Sequence, residues 1–434
     1  MTSLEPDGPR PNIILAMADD QGFGDVGYNG HPVLQTPHLD EMAAQGLRFD
    51  RFYAGAPVCS PTRGSCLTGR HPWRYGVFFA NFGPPEEPSK YPLPMPEVTL
   101  AEALGDLGYE CGHFGKWHLG DFEGPRRSAP SDNGFHDSLS TVRRAATVDP
   151  EGYWDNGAPV KGPLQGDDSR IIMDRALRFI EGAVDARHPF LVVIWFHTPH
   201  LPVLATDEFR ALYEGHSEQC QHYWGALSAM DAQMGRLRAV LREMGVAEDT
   251  ILWFCSDNGP EGDAMTEERP GSAGPFRGRK RSLWEGGIRV PAILEWPERI
   301  PEPRATDLAC CTSDFYPTLL NALGYEPPNQ PRPIDGVSLL DLLDGEMAGR
   351  PAPMAFETLE GTTRGSASTA LIGNRHKLLM DPSGEPVVLH DLLEDPAEEH
   401  DLSEDRPDVV ETMCATLQGE RASWARSREG EDYL

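Results

Sequence analysis

Three short runs constrain this chain more than any other feature: NIILAMA (12–18), FLVVIWF (190–196) and TILWFCS (250–256). Each is apolar at nearly every position, so each has to be covered on both faces, as the strands of a parallel sheet are. All are far too short to cross a bilayer. Segments with helical periodicity lie between them. Their alternation predicts an α/β fold: a large mixed, mostly parallel sheet sandwiched by helices.

The helices carry their own end signals. Thr36 reads as the N-cap of TPHLDEMAAQG, with Pro37 at the first position and Gly46 past the end. Thr99 and Glu102 have the spacing of a capping box in a run closed by Gly108. From Tyr223 to Met244 apolar residues recur at three- and four-residue steps, which assigns the methionines there to a core-facing stripe. Pro and polar residues concentrate in YEPPNQPRPIDG (325–336) and divide a large domain (1–330) from a smaller C-terminal α+β subdomain (331–434). In the latter, TALIGNRHKLLMDPSGEPVVLHDL (369–392) reads as two antiparallel strands about the turn at Asp381, followed by a helix near 407–424.

Each apolar run ends in polar chemistry. The first leads into Asp19-Asp20, the second into His197-Thr-Pro-His200, the third into Asp257-Asn258-Gly259. Singly, these are ordinary turn or cap residues. Together they mark a site, because ligands of open α/β sheets bind outside the carboxyl ends of the strands. Asp19, Asp20, Asp257 and the Asn258 amide are hard oxygen ligands, suited to Ca2+ or Mg2+ and not to zinc. Three carboxylates held together would repel one another without a cation.

The net charge is −30, from 38 basic and 68 acidic residues, which argues against nucleic acid or an anionic membrane as partner. An anionic substrate would need positive charge gathered locally. Two segments offer it. GKWHLG (115–120) spaces Lys116 and His118 so that they project to one side of an extended segment. FRGRKRSLWEGG (276–287) concentrates Arg277, Arg279, Lys280 and Arg281. Such a loop is either a solvated basic run or an oxyanion site.

The eight cysteines show no zinc spacing and read as thiols of a reducing compartment, Cys59 excepted. The N-terminal MTSLEPDGPRPN has acidic residues and prolines where a secretory signal has an apolar segment. A cytoplasmic location is therefore expected, or a periplasmic or secreted one if a leader has been removed.

Cys59-Ser-Pro-Thr-Arg63, extended by GSCLTGR, resembles the signature of the type I, formylglycine-dependent sulfatases of the alkaline phosphatase superfamily. MADDQG, GKWHLG, SDNG and LWEGGIRVP resemble further segments of that family, in the same order, and the C-terminal part resembles its small antiparallel domain. The resemblance implies an alkaline phosphatase/sulfatase-like fold and an arylsulfatase-like hydrolase of aryl or carbohydrate sulfate esters. It implies that Cys59 is oxidised by a formylglycine-generating enzyme, and that a hydroxyl of the hydrated aldehyde attacks sulfur. Asp19, Asp20, Asp257, Asn258 and the modified Cys59 would hold Ca2+, with Mg2+ as the other candidate. Arg63 would steady the metal-side carboxylates and the diol, and Lys116 and Lys280 would clamp sulfate oxygens. His118 would take the second proton. Of His197 and His200, the family pattern of a histidine two residues before proline selects His200 for the leaving-group oxygen and leaves His197 a structural or supporting role. Arginines flank Lys280 where glycines are commoner, so Arg279 and Arg281 face either a second anionic group or solvent, with solvent favoured.

Two rival readings remain: a phosphonate or phosphate ester hydrolase of the same superfamily, and a non-catalytic binder of sulfated ligands should Cys59 stay unconverted. The aromatic stretch HPWRYGVFFANFG (71–83) is expected either to line a pocket or to pack in the core.

Overall fold

The three apolar runs become neighbouring strands. In the computed structural model, which describes residues 10–80, 92–359, 363–365 and 367–433, Asn12–Ala18 lies between Thr250–Ser256 and Phe190–Trp195 and is parallel to both. Residues 1–9 and 81–83, on which the N-terminal and part of the aromatic readings fall, lie outside the described residues.

The main sheet has ten strands among the described residues. From one edge to the other they are Arg304–Thr306, Leu47–Phe49, Ala292–Glu295, Thr250–Ser256, Asn12–Ala18, Phe190–Trp195, Glu110–Lys116, Asp137–Thr141, Tyr153–Asp155 and Ala158–Pro159. The central five, from Thr250–Ser256 to Asp137–Thr141, are all parallel; Ala292–Glu295 and the last two strands pair antiparallel. The sheet is thus large, mixed and mostly parallel.

Strand alternation feeds two cores. Ile13, Leu15 and Met17 pack on one side with Leu67, Leu104 and Phe315. Ile14, Ala16 and Ala18 pack on the other with residues of the helices Asp168–Ala186 and Glu218–Glu243. Met230 and Met234 of the longer helix are fully buried, as its periodicity requires.

Two helix starts show what sequence signals do and do not fix. The capping box is formed: Thr99 Oγ1 accepts from the Glu102 N–H, and Glu102 accepts from the Thr99 N–H at 2.8 Å. Thr36 does not cap its helix. Its hydroxyl accepts from the Gly27 N–H and donates to Asp40, while Asp231, from a distant helix, accepts from the N–H groups of His38 and Leu39 at 3.1 and 2.7 Å. A carboxylate brought by tertiary packing has taken the position that the adjacent hydroxyl was expected to fill.

A second sheet of four antiparallel strands follows: Met354–Glu357, Thr369–Ile372, His376–Met380 and Pro386–Asp391. TALI forms a separate strand before the Asp381 hairpin, so the segment read as two strands is three. One face packs on the helix Pro407–Arg428 through Leu378, Leu389, Leu417 and Trp424. The other faces the large unit through Ile372, Leu379, Leu283 and Ile288. Leu339, Leu342 and Leu343, just past the Pro-rich stretch, pack into the main core. No helix among the described residues is long and apolar enough to cross a membrane.

Candidate active site

Four parallel strands deliver polar side chains to one crevice at the carboxyl edge of the sheet. Asp19 and Asp257 follow strands whose register sets Ala18 beside Ser256, and the Asp257 N–H donates to the Ala18 carbonyl oxygen at 3.1 Å. Asp20 has a φ of 71°, a left-handed conformation uncommon outside glycine, and its N–H donates to Asp257 Oδ1 at 3.0 Å. Lys116 ends its strand, and its ammonium lies 2.6 Å from Asp19 Oδ2.

Cys59 and Arg63 come one turn apart from the helix Cys59–Thr68, every residue of which is buried. The helix begins at Cys59, because Val58 is the extended N-cap residue. Pro61 takes the third position, still inside the first turn, where an amide N–H has no intrahelical acceptor to lose. Cys59 therefore sits where a helix end favours negative charge. Its Sγ is 3.6 Å from Asp19 Oδ1. Burial pushes the thiol up to about 12 despite Lys116 and Lys280, so the encoded group is not a thiolate at neutral pH.

Arg63 is buried over the Trp195 ring and donates to Asp257 Oδ2 from Nη2 at 2.6 Å and to the Lys116 carbonyl oxygen at 3.1 Å. Lys280 reaches Asp20 Oδ1 at 2.6 Å. His200 Nε2 stands 3.8 Å from Asp20 Oδ2. Burial raises the Asp19 carboxyl, but Lys116, His200, Arg63 and Lys280 overcome it and hold the group well below the usual range. Burial and the charge of Asp19 push Asp257 the other way, up to about 7. The opposition is what crowded carboxylates produce.

These residues fit a divalent cation. Asn258 donates its Nδ2 to Asp20 Oδ1 at 2.8 Å and to the Gly259 carbonyl oxygen, while its Oδ1 is buried with no hydrogen-bond partner. An orphaned amide oxygen beside three buried carboxylates is a donor set that a hard cation completes. Asp19, Asp20, Cys59 and His200 each offer a ligand atom within 4.8 Å of the others.

Asp20, Cys59, Lys116, His118, His200 and Lys280 line one cavity of about 530 Å³. Asp19, Arg63, Asp257 and Asn258 are tied to them by the bonds above, so all ten predicted site residues converge. His118 arrives differently from expectation. The strand stops at Lys116, and His118 has a φ of 56°, so strand alternation does not account for its position. Burial, then Lys116 and Arg63, push its ring well below the usual value, which favours the neutral form. His197 lies in a buried chain instead: Nε2 pairs with Thr141 Oγ1 at 2.7 Å and Nδ1 with Asp168 Oδ2 at 2.9 Å. Arg279 corrects the solvent reading. It is 6% exposed and donates to the carbonyl oxygens of Glu261 and Gly271, so it braces the loop.

Sequence reasoning missed Glu261, Arg269, Arg143 and Arg144, all of which line the cavity. The arginine pair follows DSLST (137–141), a strand at the same sheet edge that is too polar to announce itself by hydrophobicity. Phe79 of the aromatic stretch also lines the cavity, while Val77 and Phe78 are buried. The two expectations for that stretch are each met, by different residues.

The family profile described as Sulfatase matches residues 11–325, and one described as N-sulphoglucosamine sulphohydrolase, C-terminal, matches 274–423. Arylsulfatase A of Bos taurus is 34% identical over 445 residues, covering 92% of this chain and 85% of that one. N-acetylgalactosamine-6-sulfatase of Sus scrofa is 34% identical over 364 residues, covering 79% and 67%. The solved structure of Ps i-CgsB in complex with k-i-k-neocarrahexaose superposes with a TM-score of 0.84 at 26% identity, covering 98% of this chain and 95% of that one.

Proposed function

The chain belongs to the sulfatase family and is a sulfuric ester hydrolase, and we propose that it cleaves carbohydrate or aryl sulfate monoesters with formylglycine made from Cys59 and with Ca2+ held by Asp19, Asp20, Asp257 and Asn258. The observation that carries this reading is the convergence of the buried Cys59 Sγ with Asp19, Asp20 and the unpartnered Asn258 Oδ1 at one cavity floor. A cage of carboxylates and an amide oxygen suits Ca2+ better than Mg2+, which keeps several of its waters.

When bound, the cation polarises the ester and favours ionisation of the attacking hydroxyl. Residue 59, once converted, supplies that hydroxyl as a geminal diol. The remaining work falls to encoded side chains. Lys116 and Lys280 reach the floor from opposite carboxylates and would hold sulfate oxygens between them. Arg63 fixes Asp257 and so the metal side of the floor. His118, neutral and lining the cavity, would take the proton of the second hydroxyl. His200, held by its Nδ1 contact with the Leu201 carbonyl oxygen, would present Nε2 to the leaving-group oxygen.

Cys59 is only 1% exposed. A formylglycine-generating enzyme would therefore have to meet the Cys-Ser-Pro-Thr-Arg segment before the chain closes around it. All eight cysteines are unpaired, which favours the cytoplasm as compartment.

Peptide mass spectrometry tests the mechanism. Trypsin is expected to release Phe52–Arg63, and its aldehyde form is expected to rise in proportion to sulfate release from 4-nitrophenyl sulfate across preparations. Full activity in protein carrying only the thiol would sink the mechanism. Converted protein that binds the ester without turnover would identify a non-catalytic binder.

A further inference from the structure

The cavity holds more positive charge than one sulfate ester uses. Six cationic side chains line it: Lys116, Arg143, Arg144, Arg269, Lys280 and Arg281. Among the described residues, Asp20 and Glu261 are the only carboxylates in the same lining. In a chain with a net charge of −30, this is a local reversal of sign.

The six divide into two groups. Lys116 and Lys280 are 0–4% exposed at the side chain and sit on floor carboxylates. The four arginines are at the mouth. Arg143 is exposed and has a distant contact with Asp121, at 3.8 Å. Arg281 shares the one Glu261 carboxylate with Lys280 and Arg364, at 3.3, 3.7 and 2.9 Å. Arg144 and Arg269 make no ion pair among the described residues. A sulfate monoester brings a single negative charge, which the cation of the proposed function would meet at the floor. The four mouth arginines therefore outnumber the carboxylates that the described residues bring to them, Glu261 and the distant Asp121.

The backbone that carries Arg281 is anchored at two points. The Arg281 N–H donates to the Pro57 carbonyl oxygen at 2.8 Å, and its own carbonyl oxygen accepts from the Arg364 N–H at 2.7 Å, so its backbone is anchored beside the Cys59 segment. Arg143 and Arg144 come one residue past the end of Asp137–Thr141, the strand that pairs with the Lys116 strand. Guanidinium groups suit carboxylate and sulfate because their planar fork matches two oxygens.

We propose that Arg143, Arg144 and Arg281 form a subsite for a second anionic group, sulfate or carboxylate, on the same substrate molecule. The preferred substrates are then sulfate esters carrying at least one further negative charge, a narrower class than aryl sulfates at large. This rests on the sulfatase reading above. Phe79, in the same lining, offers a flat face for the ring that joins the two anions.

Converted enzyme turning over 4-nitrophenyl sulfate is inhibited with N-acetylglucosamine 6-O-sulfate, glucosamine 2-N,6-O-disulfate, and a monosulfated disaccharide containing glucuronate. The disulfate is expected to bind at least about tenfold more tightly than the monosulfate, the scale of one charge-assisted contact. The uronate probe separates carboxylate from sulfate as the second anion. In Arg143→Ala/Arg144→Ala and in Arg281→Gln the ratio is expected to fall to about threefold or less. Equal inhibition constants in the wild type would overturn the proposal. So would variants that weaken both saccharides equally, because that is general attraction of anions and not a subsite. Calorimetry reads the same ratio without turnover, so a preserved ratio with no sulfate release would count against the hydrolase reading alone.

Discussion

At the floor of the cleft each cation has a carboxylate in hydrogen-bond reach: Lys116 on Asp19, Lys280 on Asp20, Arg63 on Asp257, all at 2.6 Å. At the mouth, a few side chains away, Arg144 and Arg269 have no such partner among the described residues and Arg281 shares one. The floor is buried, so an unmatched charge there would be very costly; the mouth meets water, which screens one cheaply. The contrast separates two tasks. A floor matched internally is prearranged for one chemistry. A mouth with charge in surplus among the described residues is where the proposed second anion would bind.

The largest effects should come from breaking the floor. Cys59→Ala and Asp257→Ala are expected to cut sulfate release by at least about a thousandfold, on the order of 4 kcal/mol. Cys59→Ala should keep its melting temperature near that of the wild type, since the lost group is small. Chelation should abolish turnover and lower the melting temperature together, and added Ca2+ should restore both. If melting is unmoved by chelation, the carboxylate cluster is not a cation site. His200→Ala comes next. The loss is expected to be about a hundredfold with a poor alkyl leaving group and much smaller with nitrophenolate, which needs no proton; equal losses on both would refute its leaving-group role. The mouth should show the tenfold effects described above, in the ratio between ligands.

Changes behind both regions should alter stability alone. His71 stacks on Trp424 of the C-terminal helix with ring centroids 3.9 Å apart. Burial lowers its pKa to about 3, with Asp335 pulling upward and Arg74 and Arg428 downward. The folded ring therefore stays neutral while the unfolded one takes up a proton near pH 6.5. This contribution to stability is whole above about pH 6.5 and declines as pH falls toward 3. The melting temperature of His71→Gln should accordingly vary less between pH 7 and pH 4 than that of the wild type. The smallest effect is expected from Thr99→Ala, which opens the capping box at a cost of about 1 kcal/mol and should leave turnover of every probe unchanged.

Much of the floor was legible from the sequence. A run such as NIILAMA has few alternatives to a buried strand, and a buried parallel strand must release its next residues at the sheet's edge. That local logic, with the resemblance carried by Cys59–Arg63 and its companion segments, assembled Asp19, Asp20, Lys116, Asp257 and Asn258 before any coordinates. It failed where a neighbour distant in sequence decides. Asp231 displaced Thr36 as a cap. Arg279, one position from Lys280 in a basic run, turned inward because two carbonyl oxygens were waiting for it.

The sequence by itself determined the fold class, because hydrophobic periodicity and strand ends are properties of contiguous residues, and the resemblance carried by Cys59–Arg63 and its companion segments implied the kind of chemistry. Only the tertiary structure decided which cations gather at the mouth. Arg143, Arg269 and Arg281 belong to three separate loops, and their meeting depends on the order of strands in the sheet, which no single segment encodes.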